Sequence, residues 1–174
     1  TPAIRAIFVN HSFLNVFPHF SNTIFSITPD STTQRYHFYF GDYHFPDDEI
    51  FQKKEYNSQA IMSEIMNNSY VRLMAPYETD EHLLVKYYVK RQVLLGIYNK
   101  KKHTAINLDP EMVIDSLHLG TFPVPIGFNH NEFIGQLTLD IQQKNRIMIP
   151  ELQKLMADYS EDSNPILIFY SLRS

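Results

Sequence analysis

Cysteine and tryptophan are absent from these 174 residues, and glycine is scarce, with five. Without cysteine there is no disulfide, no thiolate zinc site and no cysteine nucleophile, while the redox compartment stays open. Five glycines leave little for a phosphate-cradling loop, and neither a dinucleotide fingerprint nor a P-loop occurs; GxSxG and HExxH are missing too. A transmembrane helix is excluded as well, because Lys86, Lys90 and Arg91 interrupt the most apolar region. Excess positive charge is also lacking. The formal net charge is -4 and the pI about 6.0, so there is no basic footprint for nucleic acid. The one basic cluster, Lys100-Lys101-Lys102, follows Asn99 and reads as a solvated turn.

What the chain has in quantity is aromatic residues, 13 Phe and 11 Tyr, mostly in short runs that alternate with period two. Hydrophobic residues make up 44%, enough for one sizeable core, so a single domain over 1–174 is expected. Phe13–Phe20, Thr23–Thr28 and Arg35–Phe40 read as strands, split by Ser21-Asn22 and by Pro29-Asp30-Ser31-Thr32. In the last of these, Tyr36, Phe38 and Phe40 share one face. A further strand is expected at Ile4–Asn10. Tyr70–Tyr77, Leu83–Val89, Leu94–Asn99 and Thr104–Leu108 form a second meander, and Phe122–Phe128, Glu132–Leu139 and Ile166–Tyr170 a third set.

Two stretches change period. Residues 49–66 fit a helix, with Ile61 and Ile65, and Met62 and Met66, at i and i+4 and Asn67-Asn68 as a stop. Residues 146–159 fit a second, with Pro150 suited to its first turn. Strands and helices do not alternate, which argues against a doubly wound parallel sheet. The fold class expected is all-β with two inserted helices, built from consecutive antiparallel meanders.

"FSNTIFSI" at Phe20–Ile27, "RYHFYFGDYHFP" at Arg35–Pro46, "YETDEHLLVKYYVKRQVLLGIYNKKK" at Tyr77–Lys102 and "DSNPILIFYSL" near the end resemble the C-terminal half of a bacterial family of six-bladed β-propellers. Members of that family are mostly exported lipoproteins of gut anaerobes, of uncharacterised function. The resemblance implies about three propeller blades, near 4–48, 70–109 and 118–174, and an exported protein of the periplasm or cell surface. A blade takes roughly 40–50 residues. Three blades cannot close a ring of six, so the rest is expected from an absent N-terminal half or from a second copy, giving a homodimer through open blade edges. The start at Thr1-Pro2-Ala3, with neither Met nor an apolar leader core, reads as that of a processed chain. The terminal strand Ile166–Tyr170 is expected to pair with Glu132–Leu139 inside the last blade, leaving Ile4–Asn10 as the exposed edge.

Candidate chemistry is thin. Eight His residues show no zinc-protease spacing, and no metal or cofactor is expected. Asp47, Asp48 and Glu49 suit a helix N-terminus, and Glu78 to Glu81 suits a hairpin tip. The candidate ligand-binding residues are Tyr39, Tyr43, His44, Tyr77 and Tyr87, aromatic platforms on which a sugar ring could stack, with Phe45 and Tyr88 beside them. The function expected is a non-catalytic envelope-associated binding or scaffold protein for a glycan or protein. The alternative is a propeller-type glycan hydrolase or lyase, with His and carboxylates near the central axis.

Overall fold

Among the described residues period-two alternation builds three antiparallel sheets from eleven strands, and each sheet is a run of sequence neighbours. A computed structural model of the chain describes residues 7–10, 13–18, 21–46, 57–110, 122–137, 150, 154, 157 and 164–172. The first sheet takes β1 (Ile7–Asn10), β2 (Phe13–Val16), β3 (Thr23–Ile27) and β4 (Thr32–His37), in that order. The second takes β5 (Arg72–Glu78), β6 (His82–Val89), β7 (Gln92–Asn99) and β8 (Thr104–Leu108), again in order. The third holds β9 (Pro125–Phe128), β10 (Phe133–Leu137) and β11 (Ile166–Tyr170), with β10 in the middle. The protein is therefore mainly antiparallel β.

The terminal strand finds the expected partner: Phe133 stands opposite Tyr170 and Leu137 opposite Ile166. Strand alternation then puts Phe133, Gly135, Ile168 and Tyr170 on one face and leaves Leu167 and Phe169 on the other, 51% and 55% exposed. Gly135 is required by a close approach. A Cβ there would stand 2.9 Å from Pro123 Cβ and 3.2 Å from the Tyr170 ring. The Tyr170 hydroxyl donates to Pro123 O at 2.7 Å, and burial, with Tyr77 nearby, pushes its pKa well above the ordinary tyrosine value. Among the described strands β1 is the expected sheet edge, with Ile7 and Val9 exposed, but β11 is a sheet edge as well and not an interior strand, since it pairs with β10 alone.

The helices differ from expectation. One α-helix, α1 (Ser58–Asn68), ends at the foreseen Asn67-Asn68, where Ser69 takes the left-handed backbone at φ 59°. It starts later than residue 49, because Asn57 Oδ1 accepts the Ala60 N–H at 2.9 Å and caps it. Residues 49–56, with Glu49, and also Asp47 and Asp48, lie outside the described residues. Of the second expected helix, near 146–159, Pro150, Lys154 and Ala157 are helical and the remainder lies outside them. A further correction concerns Arg35–Phe40: β4 stops at His37, and Phe38 and Phe40 stack on each other beyond it, centroids 6.3 Å apart, rather than continuing a strand face.

The chain divides into two compact units, Thr1–Pro76 with Val85–Leu94, and Tyr77–Leu84 with Leu95–Ser174. The core of the first contains Phe17, Ile24, Phe45, Val71, Val85, Tyr87 and Val89. That of the second contains Tyr77, Leu83, Leu84, Leu95, Ile97 and Phe133. Glycine scarcity shows in the turns. Besides Ser69, non-glycine residues Lys90, Arg91 and His103 occupy left-handed backbone at the tips of the second sheet.

Candidate functional site

The segment that leaves β4 is fastened by one asparagine. Phe38 N–H donates to Asn22 O at 2.9 Å, and the buried Asn22 side chain donates through Nδ2 to Phe45 O at 2.9 Å. Between these two anchors Gly41, at φ +58°, opens a 3-10 turn over Gly41–Tyr43, closed by His44 N–H to Gly41 O at 3.0 Å. Phe45 is then driven into the core, edge-on to Tyr70 at 5.9 Å, and Val71 N–H donates to Tyr43 O at 2.7 Å. The residues between are held up from a fixed base.

Three of the five candidates meet on this turn. Tyr39 is 79% exposed, and its ring centroid lies 5.4 Å from that of His44. His44 in turn lies 5.5 Å from His37, whose Nδ1 bonds Thr23 Oγ1 at 2.9 Å across the β3–β4 ladder. Because Phe45 O needs a donor, the Asn22 amide has its nitrogen there, and the second hydrogen of that nitrogen points to His44 Nε2 at 3.4 Å. Nε2 accepts, the ring proton sits on Nδ1, and Nδ1 is buried with no hydrogen-bond partner. An orphan buried donor costs about 1–3 kcal/mol, which marks this ring as incompletely satisfied.

Tyr43 meets a residue that sequence spacing did not bring to it. Lys90, forty-seven positions on, hydrogen-bonds the Tyr43 hydroxyl and holds its ammonium 4.3 Å from the ring centroid. Lys90 and Arg91 form the two-residue β6–β7 turn, both with positive φ where Asn-Gly is favoured. No pattern in the sequence joins these segments. The Thr23–His37 contact, in contrast, follows from the hairpin register.

The other two candidates are core residues. Tyr87 is buried against Phe40 at 5.1 Å, and burial raises its hydroxyl pKa. Tyr77 is buried in the second unit. Phe45, expected beside them at the surface, is buried too, and Tyr88 lies under the Arg72 guanidinium at 5.7 Å. Among the described residues no three His, Cys, Asp or Glu side chains gather as a metal-holding group.

A second polar cluster lies in the other unit, at the expected tip Glu78 to Glu81. Thr79 N–H donates to His82 O at 2.9 Å and closes that turn. Lys100 is not a solvated lysine: its ammonium reaches the buried Glu78 Oε1 and Thr79 O, each at 2.6 Å. Lys101 and Lys102 are exposed, as expected. His82 is buried, which lowers its pKa, while Glu81 raises it and Lys100 lowers it further. His82, one of the described groups with a shifted pKa, thus belongs to a hairpin tip.

A family model described as "Domain of unknown function (DUF4934)" matches residues 6–171. No curated protein matches the chain. A solved structure from Bacteroides fragilis, described as a "putative exported protein", shares the fold with a TM-score of 0.77 at 18% identity, over 97% of this chain. This chain spans 49% of that one's length. Among the described residues no helix is long and apolar enough to cross a membrane.

Proposed function

The chain belongs to the DUF4934 family, and from that premise we propose that it supplies blades of a β-propeller that works outside the cytoplasm and binds a glycan without cleaving it. Two sheets of four strands in simple sequence order are what blades require, and the third sheet has three such strands. Its outer strand β11 and the outer strand β1 of the first sheet are the edges that a ring would pair, with further blades or with a second copy of the chain. Export is suggested by the Bacteroides fragilis protein that shares this fold and is described as a "putative exported protein".

The observation that carries the binding reading is Tyr39. A ring 79% exposed, set on a turn anchored by Asn22 with the His44 imidazole 5.4 Å from it, offers a sugar an apolar face on which to stack. Electrophoresis of the protein through gels carrying xylan, pectin or dextran tests it. Retardation that Tyr39→Ala removes, with polymer mass unchanged, is the expected result. A fall in polymer mass would favour the hydrolase or lyase alternative, and free migration in all gels would overturn the glycan. Light scattering tests the ring: a dimer is expected, and a strict monomer at high concentration would remove the second copy from the reading.

A further inference from the structure

The hairpin tips of the second unit are joined by an amide whose orientation is forced. Asn99 Oδ1 accepts the backbone N–H groups of Lys101 at 3.0 Å and Lys102 at 2.8 Å. Backbone N–H groups only donate, so the oxygen must face them and Nδ2 must face His82 Nε2, 3.1 Å away. Nδ2 also only donates. His82 is therefore held neutral, accepting at Nε2 and carrying its proton on Nδ1. His82 and Asn99 are both buried.

We propose that His82 and Asn99 form an acid-release latch for these tips. A proton on Nε2 would set two donors face to face at a buried contact. Relief requires Asn99 to turn over, which presents its NH2 to the Lys101 and Lys102 N–H groups and loses both bonds, or requires His82 to leave its place. Either movement disturbs the turn that begins at Lys100. That residue ties the β7–β8 tip to the β5–β6 tip through its N–H to Glu81 O at 2.9 Å and through its ammonium to Glu78 and Thr79. The latch is thus read by one imidazole and acts on both tips.

The surrounding charges set its direction. Burial is the largest influence and disfavours the imidazolium; Glu81 favours it and Lys100 opposes it, with Glu78 neutralised against Lys100. Asp80, on the same tip, is exposed, and its N–H donates to His130 O. The unfolded chain takes up the proton at the ordinary histidine value, near 6.5, before the folded chain does. Stability from neutral His82 is therefore complete above that value and is lost as pH falls toward the lower folded one.

Nitrogen-15 NMR of the imidazoles and urea unfolding at pH 7 and pH 5 test the latch. The expected spectrum shows His82 still mainly neutral, protonated at Nδ1, at the ordinary histidine value near 6.5. The unfolding midpoint should fall further on acidification in the wild type than in His82→Gln, whose amide oxygen can still accept from Asn99. In Asn99→Asp one oxygen can keep the two backbone bonds and the other meets Nε2, so His82 should titrate above 6.5 and the acid loss should shrink. An Nε2–H tautomer in the wild type, or an Asn99→Asp titration unmoved from the wild type, would overturn the proposal. Should either variant fail to fold, the wild-type tautomer decides.

Discussion

Two Asn–His pairs make the most useful comparison in this chain. In Asn99–His82 and in Asn22–His44 the asparagine nitrogen points at the imidazole Nε2, at 3.1 and 3.4 Å; backbone N–H groups hold the Asn99 oxygen, whereas Phe45 O accepts the other hydrogen of the Asn22 nitrogen. The first pair joins adjacent strands, both partners are buried, and it reinforces turns that also hold the Glu78–Lys100 ion pair. The second stands at the root of a surface turn, with a partnerless Nδ1, a second histidine and the exposed Tyr39 around it. The same two side chains stabilise a hairpin in one place and leave hydrogen-bonding capacity unused in the other. The shifted pKa of His82 therefore goes with hairpin structure, while the second pair supports the turn that carries the exposed Tyr39.

Four variants sharpen the contrast. Lys100→Ala leaves the buried Glu78 carboxylate without its ion-pair partner, and urea unfolding at pH 7 should show a loss of about 3–5 kcal/mol; a loss below 1 would break the view that this tip is structural. Asn22→Ala removes the anchor to Phe45 O and should cost about 1–3 kcal/mol while releasing the turn, seen as weaker amide protection at His44 and Phe45. Lys90→Asn with Arg91→Gly relieves two left-handed residues and should raise stability by about 1 kcal/mol in thermal unfolding. A fall instead would mean that the Lys90–Tyr43 contact outweighs the backbone strain. Tyr39→Ala should change stability by less than about 0.5 kcal/mol and abolish polysaccharide retardation, which a merely structural tyrosine would not do.

Strand positions were legible because alternation needs only near neighbours. Thr104–Leu108 and Ile166–Tyr170 occur as expected, and among the described residues the others recur with ends displaced by a few residues, as in β4, which spans Thr32–His37 instead of Arg35–Phe40. The partner of β11 was legible too, since a short apolar strand after a long excursion has its nearest meander to return to. Alternation gives two faces without saying which is covered, so Tyr77 and Tyr87 were read as platforms although both lie in cores. The triplet at Lys100 illustrates the same limit: its first residue reaches a carboxylate twenty-two positions away, while the next two point to water. The start of α1 carried a local signal, Asn57 as a cap, that the helical period outweighed in the reading.

By itself the sequence determined the β class, the three successive meanders, the end of α1 and the turns, because each follows from backbone preference and the period of side chains along a few residues. Tertiary structure alone decided which aromatics are buried, that Lys90 meets Tyr43, and that Asn22 pins Phe45 beneath Tyr39 and His44. The Lys90–Tyr43 and Asn22–Phe45 contacts join residues more than twenty positions apart, and whether they form depends on how whole elements pack, a matter on which local preference is silent.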